Sequence, residues 1–445
     1  MFSKHAGALI CAFLFSLLAC HLAGAAPIHD AVGKGDVKQI AAILAADGTQ
    51  VNVVDQNGAT PLCIALNGTV KNQDKIVRLL ISKGADVNAV NAQQQTPTML
   101  AAQSGNLAWL KLCAEKGANL TAKDNKGATL MHYAVAGSNF NFERNTIKVT
   151  EWLLTHGGSV TATTNAGCTP LHVLYFDNGE ECDDAKFIPT RVIQQMLFSE
   201  DMVAIMQHTP WWARMFLDGP IKSVVSAKDE HRQVVLEWLV KHGADVNAVT
   251  QQGDTPLLDA ASVGSYEGVT FLLKKGARLD AVNVRGETAL YLAAPHHNMK
   301  LIDFLCKHGA DVNLKTKSAD TPLHMAAYGF NTDCVKLLLR LKADPAVRDA
   351  SGQTPLHCAA TSNFNKKTIA MLVAAKADIN ARDNEGNTPL HLAAQGGFVE
   401  DVTALCRLGA AVNVKNNQGK TPLEVAEGDE KEQVIKVLKQ AATTK

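Results

Sequence analysis

The sequence predicts a mainly α solenoid of helix-turn-helix-hairpin units, about eleven of them with the terminal caps included. Three observations predict it. The phrase Thr-Pro-Leu-His-x-Ala-Ala stands whole at Thr321, Thr354 and Thr388, and variants open at Thr60, Thr96, Thr129, Thr169, Thr255, Thr288 and Thr421. The steps between these threonines are 36, 33, 40, 86, 33, 33, 33, 34 and 33 residues, so 33 is the unit and some units carry insertions. A second phrase, Gly-Ala-Asp-Val-Asn, closes units at Gly84, Gly243 and Gly309. At 445 residues a single-core chain would have to split into domains; a repeat array escapes that limit because each unit packs only on its neighbours.

The stretch Asp349 to Asn380 shows each element in order. Asp349-Ala350-Ser351-Gly352 supplies a turn, with glycine able to take positive φ. Thr354 can cap the first helix, and Pro355 follows at the first helical position, where a missing N–H costs nothing. Leu356, Ala359 and Ala360 recur at helical spacing, and the alanines let neighbouring repeats approach. Thr361 to Asn365 breaks that helix, and Lys366 to Ala375 forms the second, with Ile369, Leu372 and Val373 on one stripe. Lys376 to Asn380 leads into the next hairpin. Alone, such a unit could not bury its apolar stripe.

These residues resemble the ankyrin-repeat family over Pro27 to Lys445 apart from one insertion. The resemblance implies antiparallel helix pairs stacked in a curved array, β-hairpins projecting from one edge, and a concave groove of hairpins and first helices. It also implies that the histidine in fourth place, at His132, His172, His324, His357 and His391, makes structural hydrogen bonds between repeats. Pro27 to Leu44 reads as a worn first repeat, and Thr421 to Gln440 as a polar terminal one that stops the stacking. The Thr129 and Thr288 repeats depart from the phrase and are expected to be less regular.

Residues 1–25 differ from the rest: Lys4, an apolar run from Leu9 to Ala19, and small residues ending at Ala25 read as a cleaved export signal. The run is shorter than the ~20 apolar residues of a membrane-spanning helix. Leu17-Leu18-Ala19-Cys20 also resembles a bacterial lipobox, so lipidation at Cys20 stands as the alternative and would anchor the chain to a membrane. Of the ten cysteines, Cys63 and Cys358 fall in first helices and Cys113, Cys306, Cys334 and Cys406 in second helices, as free core thiols. Cys168 and Cys182, flanking an irregular region, are the pair that could bridge in an oxidising compartment.

The fifteen histidines invite a catalytic or metal reading, but repetition at fixed phase belongs to architecture. His156, His242 and His308 precede the glycine that ends a second helix, where the helix dipole suits them. His296 and His297 alone are out of phase, and adjacent residues rarely ligate one ion. No nucleophile elbow, His-Glu-x-x-His, phosphate loop or dinucleotide fingerprint occurs, so no enzyme, catalytic residue, metal or cofactor is expected. With 43 basic and 43 acidic side chains the chain lacks the field of a nucleic-acid binder.

The repeat leaves residues 177–228 unexplained: an acidic turn (Asp177, Glu180, Glu181, Asp183, Asp184) without the ligand spacing of a calcium loop, then apolar stripes ending in Trp211 and Trp212. This helical insertion either folds back over the repeats or offers an aromatic patch to a partner, and is expected to pack with the lengthened loop Gly137 to Lys148. The other candidate surface is the groove, with Tyr328 after an alanine pair and Arg285, Lys317, Arg348 and Arg382 at hairpin tips, among Glu287, Asp320, Asp349, Asp383 and Glu385. Mixed charge suits a protein partner. The expectation is an exported, monomeric scaffold, periplasmic or extracellular, that binds a protein of unknown identity through the groove, the insertion or both. An enzyme or metal module centred on 177–228, or a self-assembling spacer, is the alternative.

Overall fold

A computed structural model describes residues 26–67, 70–137, 146–175, 230–296, 298–329, 331–361, 365–427 and 430–443. Two compact units divide between Asp245 and Val246, and each is treated by itself. Residues 1–25 with Cys20, residues 177–228 with Trp211 and Trp212, and most of the Gly137 to Lys148 loop lie outside the described residues.

Within both units the repeat follows the order read from the sequence. In the Thr354 repeat the helices are Pro355–Ala360 and Lys366–Ala374, with Leu356, Ala359, Ala360, Ile369 and Leu372 fully buried and Val373 half-buried. The fourth-place histidine explains the start of the first helix. The Thr354 N–H donates to His357 Nδ1 (3.1 Å) and the Thr354 hydroxyl lies 2.9 Å from the same nitrogen. That leaves Nε2–H free to donate to the Asn387 carbonyl of the next repeat at 3.2 Å. Each acceptor and donor is thereby satisfied in a buried place. His132, His324 and His391 repeat the pattern onto the carbonyls of Cys168, Gln353 and Lys420. Burial lowers the pKa of all four.

Second helices are tied in a different way. Asn331 caps Thr332–Arg340 by accepting from the Cys334 N–H, and its amide donates to the Ala294 carbonyl of the preceding repeat. At the other end, His156, His242 and His308 lie on the rings of Trp152, Trp238 and Phe304. Their Nδ1 atoms also bond the backbone carbonyls of those same residues, so a ring and a last-turn carbonyl are covered together.

The hairpins differ from the β-hairpins that the resemblance implied: among the described residues there is no strand. Each is a tight turn, as where Asp349 N–H donates to Gln353 O (2.9 Å) and Gly352 N–H to Asp349 O (3.0 Å). Within each unit one backbone bond then joins neighbouring turns, such as Asn384 N–H to Ser351 O and Asn417 N–H to Glu385 O in the second unit. Too few residues pair to count as a strand.

The terminal repeats behave as ends. Pro27–Gly33 and Val37–Ala46 bury Ile28, Ala31, Val32 and Ile40, and His29 reaches the Val53 carbonyl at 3.0 Å. With Ala26 in place of threonine, His29 Nδ1 has no partner. At the other end the first helix of the Thr421 repeat is reduced to turns, although Glu424 takes both the N–H and the hydroxyl of Thr421 as the histidine does elsewhere. Only Val434 and Leu438 of Lys431–Thr443 are buried. Cys63, Cys113, Cys334 and Cys358 are buried thiols outside any disulfide; Cys306 and Cys406, expected in the core, are thiols too but only half-buried near the ends of their helices. Cys168 is disulfide-bonded to a partner outside the described residues. No helix among the described residues is long and apolar enough to cross a membrane.

Candidate functional site

The face made by turns and first helices is built on a side-chain ladder that begins at the first turn residue. That residue is Asp, Asn or Thr, and it accepts from the N–H two or four places on: Asp349 from Ser351 and Gln353, Asn283 from Arg285 and Glu287, Thr316 from Asp320. The turn is fixed by this residue, which frees the position four later to vary.

In the first unit that variable place is uncharged, held by Ala59, Gln95, Ala128 and Cys168, and Gln95 is paired on both sides. Gln95 receives the Asn91 amide and donates to the Tyr133 hydroxyl at 2.9 Å; the hydroxyl donates to Asp124 Oδ2 at 2.7 Å. Burial, then the Asp124 carboxylate, raises the Tyr133 pKa far above the phenol range.

In the second unit the same place is acidic three times running, at Asp254, Glu287 and Asp320. The Asn283 amide nitrogen donates to both Asp254 Oδ1 (2.9 Å) and Glu287 Oε2 (2.7 Å), so carboxylates of adjacent turns share one nitrogen. Arg285 adds a 2.7 Å ion pair to Glu287. Behind them, on helix Pro256–Ser262, Asp259 is 5% exposed and its Oδ2 bonds nothing among the described residues. Burial, assisted by the charge of Asp254, pushes the Asp259 carboxyl well above the usual range. Half-buried Asp320 is raised by burial and then by Asp349 and Glu287.

The hairpin-tip cations take varied places. Lys317 is exposed, and its N–H joins its turn to the Arg285 carbonyl at 2.8 Å. Arg348 folds back, donating to the Gly352 carbonyl at 2.8 Å and across to the Arg382 carbonyl. Arg382 reaches Asn417 at 3.5 Å. Tyr328, which ends helix Pro322–Tyr328, is 38% exposed. The backbone bonds between turns therefore bring Arg285 next to Lys317 and Arg348 next to Arg382, with both arginines of the latter pair engaged. His296 bonds the Ser262 carbonyl at 2.6 Å, while His297 lies outside the described residues. No three His, Cys, Asp or Glu among the described residues are grouped to hold a metal ion.

Sequence reasoning missed Asp254 and Asp259. The position of Asp259 in an otherwise apolar phrase was the available signal, and its meaning depends on burial.

Models of ankyrin repeats match this chain: one described as three copies over residues 7–91, 69–142, 224–316 and 290–383, and one described as many copies over 372–426. An ankyrin repeat and KH domain-containing protein of Caenorhabditis briggsae is 39% identical over 88 residues, 20% of this chain and 3% of that protein. Inversin of Gallus gallus is 31% identical over 108 residues, 24% of this chain and 10% of that protein. The E3 ubiquitin-protein ligase KEG of Arabidopsis thaliana is 31% identical over 157 residues, 34% of this chain and 9% of that protein. The chain thus spans a tenth or less of the length of these relatives. The crystal structure of the human ASB11 ankyrin repeat domain aligns with a TM-score of 0.43 and 25% identity, covering 47% of this chain and 94% of that one.

Proposed function

The chain belongs to the ankyrin-repeat family, and from that premise we propose that it is an exported, non-enzymatic scaffold that holds another protein against its turns and first helices. One observation carries the reading: a fixed frame of Thr, His and Asn bonds supports turn positions whose side chains change from repeat to repeat. Such a frame keeps a surface rigid while its chemistry varies, which limits the ordering cost of binding. Formal neutrality favours a protein over a polyanion. The leader at residues 1–25 supports export to a periplasmic or extracellular place, and the Cys168 disulfide suits an oxidising compartment. Lipidation at Cys20 is the alternative, which the intact mass of the mature chain decides.

The test is crosslinking in the native compartment, with the full chain compared with one lacking residues 177–228 and with Tyr328→Ala and Lys317→Ala. A discrete crosslinked protein whose yield falls in the turn variants is the expected outcome. Crosslinks only between copies of this chain would overturn the reading in favour of self-assembly.

A further inference from the structure

We propose that Asp254, Asp259, Glu287 and Asp320 form a receptor for a basic side chain, lysine or arginine, carried by the protein that the scaffold binds. The inference rests on the scaffold reading and names the chemistry of its partner.

The fold does not require these acids. In the other described turns the place of Asp254, Glu287 and Asp320 is held by Ala59, Gln95, Ala128, Cys168, Gln353, Asn387 or Lys420, and the turns close alike. The turn-making role belongs to Thr250, Asn283 and Thr316, four residues earlier. The place of Asp259 is held in the first repeat by Asp30, which is exposed and ion-paired to Lys34, and elsewhere by Ile64, Leu100, Tyr133, Val173, Leu292, Met325, Cys358, Leu392 or Val425. A carboxyl there gives no packing that leucine would not give, and an unbonded buried oxygen costs free energy.

The four carboxyls also act on one another. Asp254 and Glu287 share the Asn283 amide, the charge of Asp254 bears on Asp259, and that of Glu287 bears on Asp320. Arg285, paired with Glu287, and Lys317, exposed in the turn of Asp320, are the cations of the row, and Asp259 and Asp320 have no ion pair among the described residues. Negative charge thus exceeds positive in a partly dry place, where an added cation is held more strongly than on an open surface. The carboxyls lie along a row and do not gather three at a point, so a long cationic side chain fits them better than a metal ion. A guanidinium or ammonium supplies the donor that Asp259 Oδ2 lacks.

The test uses the full mature chain and fluorescein-labelled hexaarginine, followed by anisotropy, with labelled hexaglutamate as the opposite charge. Asp259→Asn and Asp320→Asn are compared with Glu267→Gln, an exposed acid on the second helix of the same repeat as Asp259. Thermal unfolding checks that each variant folds; half-buried Asp320 provides the milder change. Expected is saturable binding of hexaarginine, weakened about tenfold by either Asn variant and unchanged by Glu267→Gln, with hexaglutamate unbound. Equal weakening by Glu267→Gln, no weakening by the Asn variants, or preference for hexaglutamate would each overturn it. If both Asn variants still capture the crosslinked partner at wild-type yield, the receptor is wrong and the scaffold stands; if the wild type captures none and ignores hexaarginine, both fall.

Discussion

Ala319 sits in a turn with φ of +60°, where most other turns of the chain place glycine. The reason a methyl group is tolerated lies one repeat on. A Cβ at Gly127, Gly352 or Gly386 would strike the side-chain amide oxygen of Asn165, Asn384 or Asn417. Facing Ala319 is Ala350, whose N–H takes the Ser318 carbonyl but which has no amide to collide with. Only the left-handed strain remains, and it exceeds the entropy a glycine would add to the unfolded chain. Ala319→Gly should therefore stabilise the second unit by about 0.5–1 kcal/mol, and Gly352→Ala should destabilise it by about 2 kcal/mol or more. Urea unfolding of both variants reads the pair; destabilisation by Ala319→Gly would contradict the account.

Asp401 poses the opposite problem, a carboxyl where the fold offers too little. It is fully buried, Oδ2 accepts one N–H from Asn365, and Oδ1 accepts nothing. Burial raises its pKa to about 7, with the charge of Glu400 adding. The native state then holds a proton that the unfolded chain releases near 4, so the cost of the charge is present above pH 7 and is relieved as pH falls towards 4. Asp401→Asn should raise stability by about 2 kcal/mol at pH 8, and the gap should close by pH 5. Melting temperatures of the two proteins across that range test it, and a gap that stays constant with pH would refute it.

At the scale of elements, the helices were legible because caps, spacing and breakers agree. Thr at the first cap, Pro after it, and Asn before most of the second helices are local signals with local causes. Helix Ala289–Ala293 ends early, with Ala294 still in helical backbone, where Pro295 has no N–H to give the carbonyl four residues back. The turns were over-read as strands, since one bond between neighbours builds no ladder. Asn331 has more than a capping role: it is fully buried, and its amide bonds the previous repeat while its oxygen caps its own helix. Asn331→Ala should cost about 2 kcal/mol, more than an exposed cap, because it leaves the Ala294 carbonyl unbonded as well. Asn331→Asp, which keeps the capping oxygen, should recover only part of that loss in the same unfolding assay. The candidate site was half legible. Glu287 and Asp320 stood out among turn charges, but Asp259 has meaning only once its burial and missing partner are known.

At the scale of the molecule, the same histidine bond recurs in both units, which allows the reach of one repeat to be measured. His132 secures its neighbour through Cys168 in the first unit, and His357 through Asn387 in the second. Both are neutral when folded because burial lowers their pKa, so the stability they give is present above pH 6.5 and declines as pH falls below it, where the unfolded chain takes up protons. In a solenoid the loss of one such bond acts first on adjacent repeats, since stability is close to a sum of neighbour terms. His132→Leu should then weaken hydrogen-exchange protection around residues 129–175 and leave residues 354–427 near wild type, while His357→Leu should do the reverse, each at a cost of about 1–3 kcal/mol. The wild-type protein shifted from pH 7.5 to 5.5 should lose protection in both regions at once, because both histidines face protonation on opening. Uniform loss across the two units in either single variant would mean that the chain opens as one body, and the neighbour-by-neighbour account would fail.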